Sequence, residues 1–291
     1  MASAELRQIR RRIRSVESTM KITRAMELIA TARIGKAQAR VAASKPYTAK
    51  MTEVIRNIAA ASGGLTHPLF EVRDLATVGV LVVTSDRGLA GAYNGSVIRL
   101  AEHHVVEHRE AGRAVRLYVV GKKALTYFRY RRYQIEHSWL GVTDTPTYAD
   151  GRGIANVLLD EYMEGRVDGV EVYTTRYVSA LTQVPERYRL LPITPPEAEE
   201  EATPVGYTFE PSPEEILDRL LPRYLEGSMF GMLLEASASE HAARRRAMKA
   251  ATENAEELTR ILTREANQAR QAEITTEISE IVGGAEALAR G

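Results

Sequence analysis

The sequence predicts a small α/β domain set between two very long terminal helices that pair as an antiparallel coiled coil. Three observations carry that prediction. The first sixty or so residues contain almost no helix breaker, a comparable stretch closes the chain, and between them the apolar pattern changes to short β-branched runs alternating with helical segments.

From Glu5 to about Ala61 the only proline is Pro46 and the only glycine is Gly35. Ala, Arg, Ile, Met and Glu dominate, and most of these are strong helix formers. One long helix is expected, kinked near Pro46 because proline lacks the helical N–H and crowds the carbonyl four residues earlier. Gly63-Gly64 should end it. VGVLVVTSD (78–86) then reads as a strand buried on both faces, 93–111 as a helix, VRLYVVG (115–121) as a second buried strand and 147–165 as a further helix. GVEVYTTRYVS (169–179) and TQVPERYRLLPI (182–193) read as a strand pair. The segment 192–213 is rich in proline and acid and is expected to be a loop. PEEILDRLL should stop at Pro222, beyond which no proline appears before the end, so a second helix of about 65 residues, roughly 100 Å long, follows. The domains are accordingly 1–62, an N-terminal coiled-coil helix; 74–193, an α/β domain of Rossmann-like type; 194–212, a linker; and 213–291, a C-terminal coiled-coil helix.

On the N-terminal helix Ile9, Ile13, Val16 and Met20 fall at 4-3-4 spacing, the pattern of a coiled-coil seam. Ile22, Met26 and Ile29 point to nearly the opposite side. One partner helix covers one stripe, so the second is expected to meet another subunit or to stay as an exposed patch. The alternative, with both stripes buried within this chain, is open at this point. The C-terminal helix is mostly alanine from 235 to 257, with Met248 its one large apolar side chain there, and bulky at Leu258, Ile261, Leu262, Ile274, Ile278, Ile281 and Val282. Pairing the helices antiparallel so that the large residues of the N-terminal seam meet apolar ones sets Ile9 against Leu262, Ile13 against Leu258, Val16 against Ala255 and Met20 against Ala251. The tail from about 272 then has no partner helix.

Composition narrows the chemistry. The 291 residues include no cysteine, which excludes disulfides, thiolate metal sites and cysteine nucleophiles, and the six histidines form no HExxH pair. No apolar run approaches a membrane span, and no signal core follows the N-terminus, so direct membrane insertion is not expected. Residues 1–60 hold 13 basic and 4 acidic side chains, a net of +9, while 61–212 and 213–291 are each at −4. Opposite charge at the two ends suits segments that lie together or meet a charged partner. Arg10-Arg11-Arg12 and Arg244-Arg245-Arg246 lack nearby aromatics, so nucleic-acid binding is not expected.

SDRGLAGAYN (85–94) follows a strand and opens a helix but lacks the lysine and the glycine spacing of phosphate loops. It reads as a structural turn, with Gly88 and Gly91 supplying permissive backbone and Asp86 and Asn94 available as local caps. No catalytic constellation, cofactor motif or metal spacing is apparent.

MKITRAMELIATAR (20–33), TSDRGLAGAYN (84–94) and the block from Ser239 to Leu288 closely resemble the gamma subunits of F-type ATP synthases, over essentially the whole chain and in the same order. That resemblance implies a non-catalytic central rotor whose terminal helices turn inside a ring of alpha and beta subunits. The α/β domain would hold the epsilon subunit and the membrane ring of c subunits. It implies that Met26, Arg244 and Met248 face the moving lever of a beta subunit, that Arg270, Gln271, Thr275 and Glu277 form a polar catch, and that Ile278, Ile281, Val282 and Leu288 form a tip in an upper bearing. It also implies a peripheral position on the cytoplasmic face of a bacterial plasma membrane. Thiol regulation of the chloroplast kind is excluded by the absence of cysteine. Two other readings compete, a non-rotary coiled-coil scaffold carrying an α/β binding module and a nucleotide-dependent enzyme built on the insert.

Overall fold

A computed structural model describes residues 4–61, 67–194, 210 and 212–289, without the side chains of 59–61 and 286–289. The expected break at Gly63-Gly64 and nearly all of the 194–212 linker lie outside the described residues. The elements in order are α1 (Ala4–Ala61), a 3-10 turn (Pro68–Phe70), β1 (Thr77–Val83), α2 (Tyr93–Glu110), β2 (Ala114–Val120), α3 (Lys122–Tyr130), β3 (Ile135–Trp139), α4 (Tyr148–Met163), β4 (Gly169–Tyr177), β5 (Gln183–Leu191) and α5 (Pro213–Ala289). They form two compact units, Met1–Ile29 with Arg245–Gly291, and Ala30–Arg244.

The second unit is built on a five-stranded sheet in the order β3-β2-β1-β4-β5, parallel except for the antiparallel β4–β5 pair. Alternation along β1 sends its side chains into two separate cores. Val78, Val80 and Val82 pack with Leu117, Val119 and Tyr173 against Val97, Ala101 and Val105 of α2 and Phe128 of α3. Leu81 and Val83 join Tyr118, Val120 and Val172 on the other face. They pack there against Ile154 and Leu158 of α4, Ile55 and Ile58 of α1, and Leu221, Leu225 and Met229 of α5.

Two features of this unit differ from the sequence expectation. Helix α3 and strand β3 were not foreseen. Pro222, expected to stop a helix, lies inside α5. Leu217, Leu221, Leu225, Met229 and Leu233 recur at every fourth position and are all at most 3% exposed, so both sides of the proline are anchored in one core. That burial offsets the roughly 3 kcal/mol a proline costs inside a helix. Helix α1 likewise runs through Pro46. Residues 213–244 of α5 thus belong to the sheet-bearing unit and pack on its core. Close approach of α4 to α5 rests on Gly151, where a Cβ would lie 2.8 Å from the Phe230 backbone.

In the first unit Leu6, Ile9, Ile13, Val16, Met20 and Thr23 of α1 lose solvent as a regular 3-4-3-4-3 series, and Glu17, Met26 and Glu27 are half-buried as well. On α5 the matching series is Met248, Thr252, Ala255, Thr259, Leu262 and Ala266. The hydroxyls of Thr23 and Thr252 meet at 2.8 Å, and each also lies within 3.0 Å of a carbonyl of its own helix, Met20 and Met248 respectively. Thr23 would face residue 248 in the expected register, so the pairing is displaced by about one helical turn. The α5 stripe is correspondingly rotated: Ala255 and Leu262 lie in it, Ala251 is half-buried and Leu258 is 38% exposed. The reason is chemical. Thr252 and Thr259 bond back to carbonyls four residues earlier at 2.9 Å, which lets a hydroxyl enter the stripe without an orphaned polar group.

Candidate functional site

The residues expected to meet other subunits fall into two groups, one presented on the surface and one enclosed. On α1 Ile22, Leu28 and Ile29 are 58, 66 and 56% exposed, and Met26 is half-buried beside them. On α5 Arg270, Gln271, Thr275 and Glu277 are all exposed, and the Thr275 hydroxyl donates to the Gln271 carbonyl at 2.9 Å. Ile274, Ile278, Ile281 and Val282 follow, each exposed by 47% or more. A helix displaying four large apolar side chains to water within nine positions is poorly suited to solvent alone. The side chain of Leu288 lies outside the described residues.

Arg244 and Met248 differ from expectation, being 8 and 5% exposed. Met248 occupies the α5 stripe. Arg244 donates from Nη2 to Glu240 Oε1 at 2.6 Å and from the same nitrogen to the Gly88 carbonyl at 3.3 Å. An arginine so far from water needs a counter-charge, and Glu240 one turn earlier supplies it. Sequence reasoning missed Glu240, although its i, i+4 spacing from Arg244 was a usable signal.

The 85–94 turn is built differently from the sequence reading. Asp86 does not cap α2. Its carboxylate accepts from the Lys122 amide at 3.0 Å, from the Gly141 amide at 3.0 Å and from the Thr143 hydroxyl at 3.1 Å, so it joins the start of α3 to the loop after β3. Asn94 Oδ1 accepts from the Ser85 amide at 2.9 Å and holds the end of β1, and Ala92 at the N-cap of α2 gives that helix no side-chain cap. Left-handed backbone falls at Leu89 and Gly91, with φ of 62° and 56°, and not at Gly88. A Cβ at Gly88 would meet only Lys123 Cε and Nζ, at 3.4 Å. A different glycine is sterically obligatory here: a Cβ at Gly121, φ +89°, would lie 2.2 Å from the Thr84 carbonyl oxygen. The turn therefore ties three loops together through its own polar groups.

Among the described residues no helix is long and apolar enough to cross a membrane.

Comparison with known proteins gives a consistent result over the full length. A family model described as ATP synthase matches residues 5–288. The ATP synthase gamma chain of Acidothermus cellulolyticus is 51% identical, covering 98% of this chain and 97% of the relative. That of Saccharopolyspora erythraea is 49% identical and covers 98% of each. Among solved structures, a chain of the Euglena gracilis mitochondrial ATP synthase, in a structure of the OSCP/F1/c-ring in rotational state 3, aligns with a TM-score of 0.69 at 16% identity. It covers 98% of this chain and 94% of that one, a likeness of fold. With a family match from residue 5 to 288 and relatives about half identical from end to end, the chain belongs to the ATP synthase gamma-chain family.

Proposed function

We propose that this gamma chain is the central rotor of an F-type ATP synthase, converting proton-driven rotation into changes of affinity at the beta-subunit catalytic sites while catalysing nothing itself. The observation that carries this reading is the uncovered apolar surface of the two-helix unit, Ile22, Leu28 and Ile29 on α1 and Ile274 to Val282 on α5. Such a surface calls for a surrounding sleeve of other subunits. The two matched stripes and the Thr23–Thr252 contact support an antiparallel coiled coil as the turning element.

The mechanism follows from symmetry. Three identical beta sites differ in state only if something unsymmetrical touches them, and one chain in a threefold ring is unsymmetrical at every angle. A third of a turn then exchanges the states. The chain shifts each site only by its differential contact free energy with the open and closed forms. Driving an equilibrium from 1:99 to 99:1 takes about 5.5 kcal/mol, within reach of a few apolar and charge-assisted contacts.

Met26 and the exposed residues around it would meet the beta lever, Arg270, Gln271, Thr275 and Glu277 the catch, and Ile278 to Leu288 the bearing. The sheet-bearing unit would hold epsilon and the c ring, placing the chain at the cytoplasmic face of the bacterial membrane without insertion. Two measurements test this. The chain should co-purify at one copy per three beta subunits, and equal copy number would point to a non-rotary scaffold. Met26→Lys should reduce protons pumped per ATP hydrolysed more than it reduces hydrolysis, because a new ammonium at the lever adds angle-dependent electrostatic energy. Unchanged pumping per ATP in reconstituted vesicles would count against the lever contact.

A further inference from the structure

Glu240 is 2% exposed and only one of its oxygens is used. Oε1 accepts from Arg244, whereas Oε2 is buried with no hydrogen-bond partner. A buried carboxylate oxygen without a donor is costly and rare. The Arg244 nitrogen that it binds also holds the Gly88 carbonyl, so one guanidinium N–H pair spans α5 and the 85–94 turn. Ala90 and Tyr93 pack on Ala243 just beside this bridge.

We propose that Glu240 is a proton-operated clasp: as a carboxylate it positions Arg244 on the Gly88 carbonyl and closes the turn onto α5, and on taking up a proton it frees Arg244 to swing outward toward a partner subunit. The last step rests on the reading that Arg244 belongs to the beta-facing surface, and the closing of the turn does not.

The surroundings favour proton uptake in the neutral range. Burial pushes the Glu240 carboxyl up to about 7, with the Arg244 guanidinium opposing and the charges of Asp144 and Asp86 adding to the rise. Facing groups come from every neighbouring element. On α2 Tyr93 stays protonated, its hydroxyl raised well above the ordinary value by burial and by Glu240 itself. On α5 His241 is lowered by burial, with Nε2 3.4 Å from the Asp144 carbonyl. Asp144 is held by Arg33 of α1, Asp86 by the amides of Lys122 and Gly141, and Lys123 of α3 flanks Gly88. Glu240 is thus the one carboxylate of the cluster lacking a second donor. Loss of its charge leaves Arg244 buried without a counter-ion, an arrangement that expels the guanidinium.

The test is hydrogen exchange at the amides of residues 89–93 in the assembled complex at pH 6 and pH 8, corrected for intrinsic rates. Protection should fall roughly tenfold from pH 8 to pH 6, as a group titrating near 7 requires, while residues 78–83 stay unchanged. Glu240→Gln should show the acid-side value at both pH values. Arg244→Gln opens the clasp from the other end, should also abolish the pH step, and carries the test if Glu240→Gln does not assemble. A flat wild-type profile, or a step that survives either substitution, overturns the proposal. ATP-driven proton pumping by the Arg244→Gln complex reads the partner contact separately: unchanged coupling would remove that contact and leave the exchange result standing.

Discussion

The two units of this chain use apolar residues in opposite ways. In the sheet-bearing unit Leu81, Val82, Ile154 and Leu221 have no exposed surface at all, and the sheet is covered by helices on both faces. In the two-helix unit the stripe is narrow and partly threonine and alanine, and large apolar side chains such as Ile22, Leu28, Ile278 and Ile281 are left exposed. The sheet-bearing unit carries its own core, whereas the two-helix unit leaves large apolar side chains uncovered.

Side-chain truncation offers the largest way to break that comparison. Leu81→Ala should lower the unfolding free energy by about 2–5 kcal/mol, against about 1 kcal/mol for the half-buried Val16→Ala, as measured by denaturant titration. Equal losses would mean the stripe is as self-sufficient as the sheet. Next in size is the tail of α5: amides of 274–288 should exchange almost without protection in the free chain and slow about a hundredfold on assembly. Comparable protection in the free chain would show that the tail needs no sleeve. Gly151→Ala, which forces a methyl into the Phe230 backbone, should cost about 1–3 kcal/mol in the sheet-bearing unit and leave exchange of residues 6–23 unaltered. Spread of its effect to those residues would mean the two units are not energetically separable.

The smallest effect is electrostatic. Burial raises the Glu171 carboxyl, but hydrogen bonds from Tyr173 and His108 and the charge of Arg187 outweigh it and leave the group below the ordinary value of 4.5. Its contribution is therefore complete above the unfolded-chain value near 4.5 and disappears as pH falls through the lowered one. Glu171→Gln should make the loss of stability between pH 6 and pH 3 shallower, read as a smaller shift of the urea midpoint. An unchanged acid slope would assign that loss to other carboxylates.

Most elements were legible in the sequence because burial on both faces leaves unbroken apolar runs, as in VGVLVV of β1 and VRLYVV of β2. The missed pair shows the limit of that signal. β3 (IEHSW) is an edge strand with no fully buried residue, and α3 (KKALTYFRY) places only Ala124, Leu125 and Phe128 in the core. Their identity is set by the neighbours they cover. Pro222 misled for the complementary reason, since a local breaker was outweighed by leucines whose common face appears only against the sheet. Exposed candidates such as Ile278 and Arg270 were readable from pattern and resemblance. The enclosure of Arg244 was not, because it depends on Gly88, 156 residues away. The α5 stripe was rotated in the sequence reading because an apolar-only search passes over threonines that satisfy themselves by local back-bonding.

The Thr23–Thr252 contact carries one more consequence, visible when hydrogens are counted. Three short oxygen–oxygen contacts meet there, one between the helices and one from each hydroxyl to its own helix, yet two hydroxyls bring only two protons. One contact is always unprotonated, and either threonine can give up its local bond to serve as donor across the interface. Two of the possible proton arrangements place a donor across the interface, and a one-turn slip of the helices would return each hydroxyl to its own carbonyl without stranding it. Unlike a buried amide that fixes register by refusing every alternative, this contact favours one alignment without forbidding its neighbours.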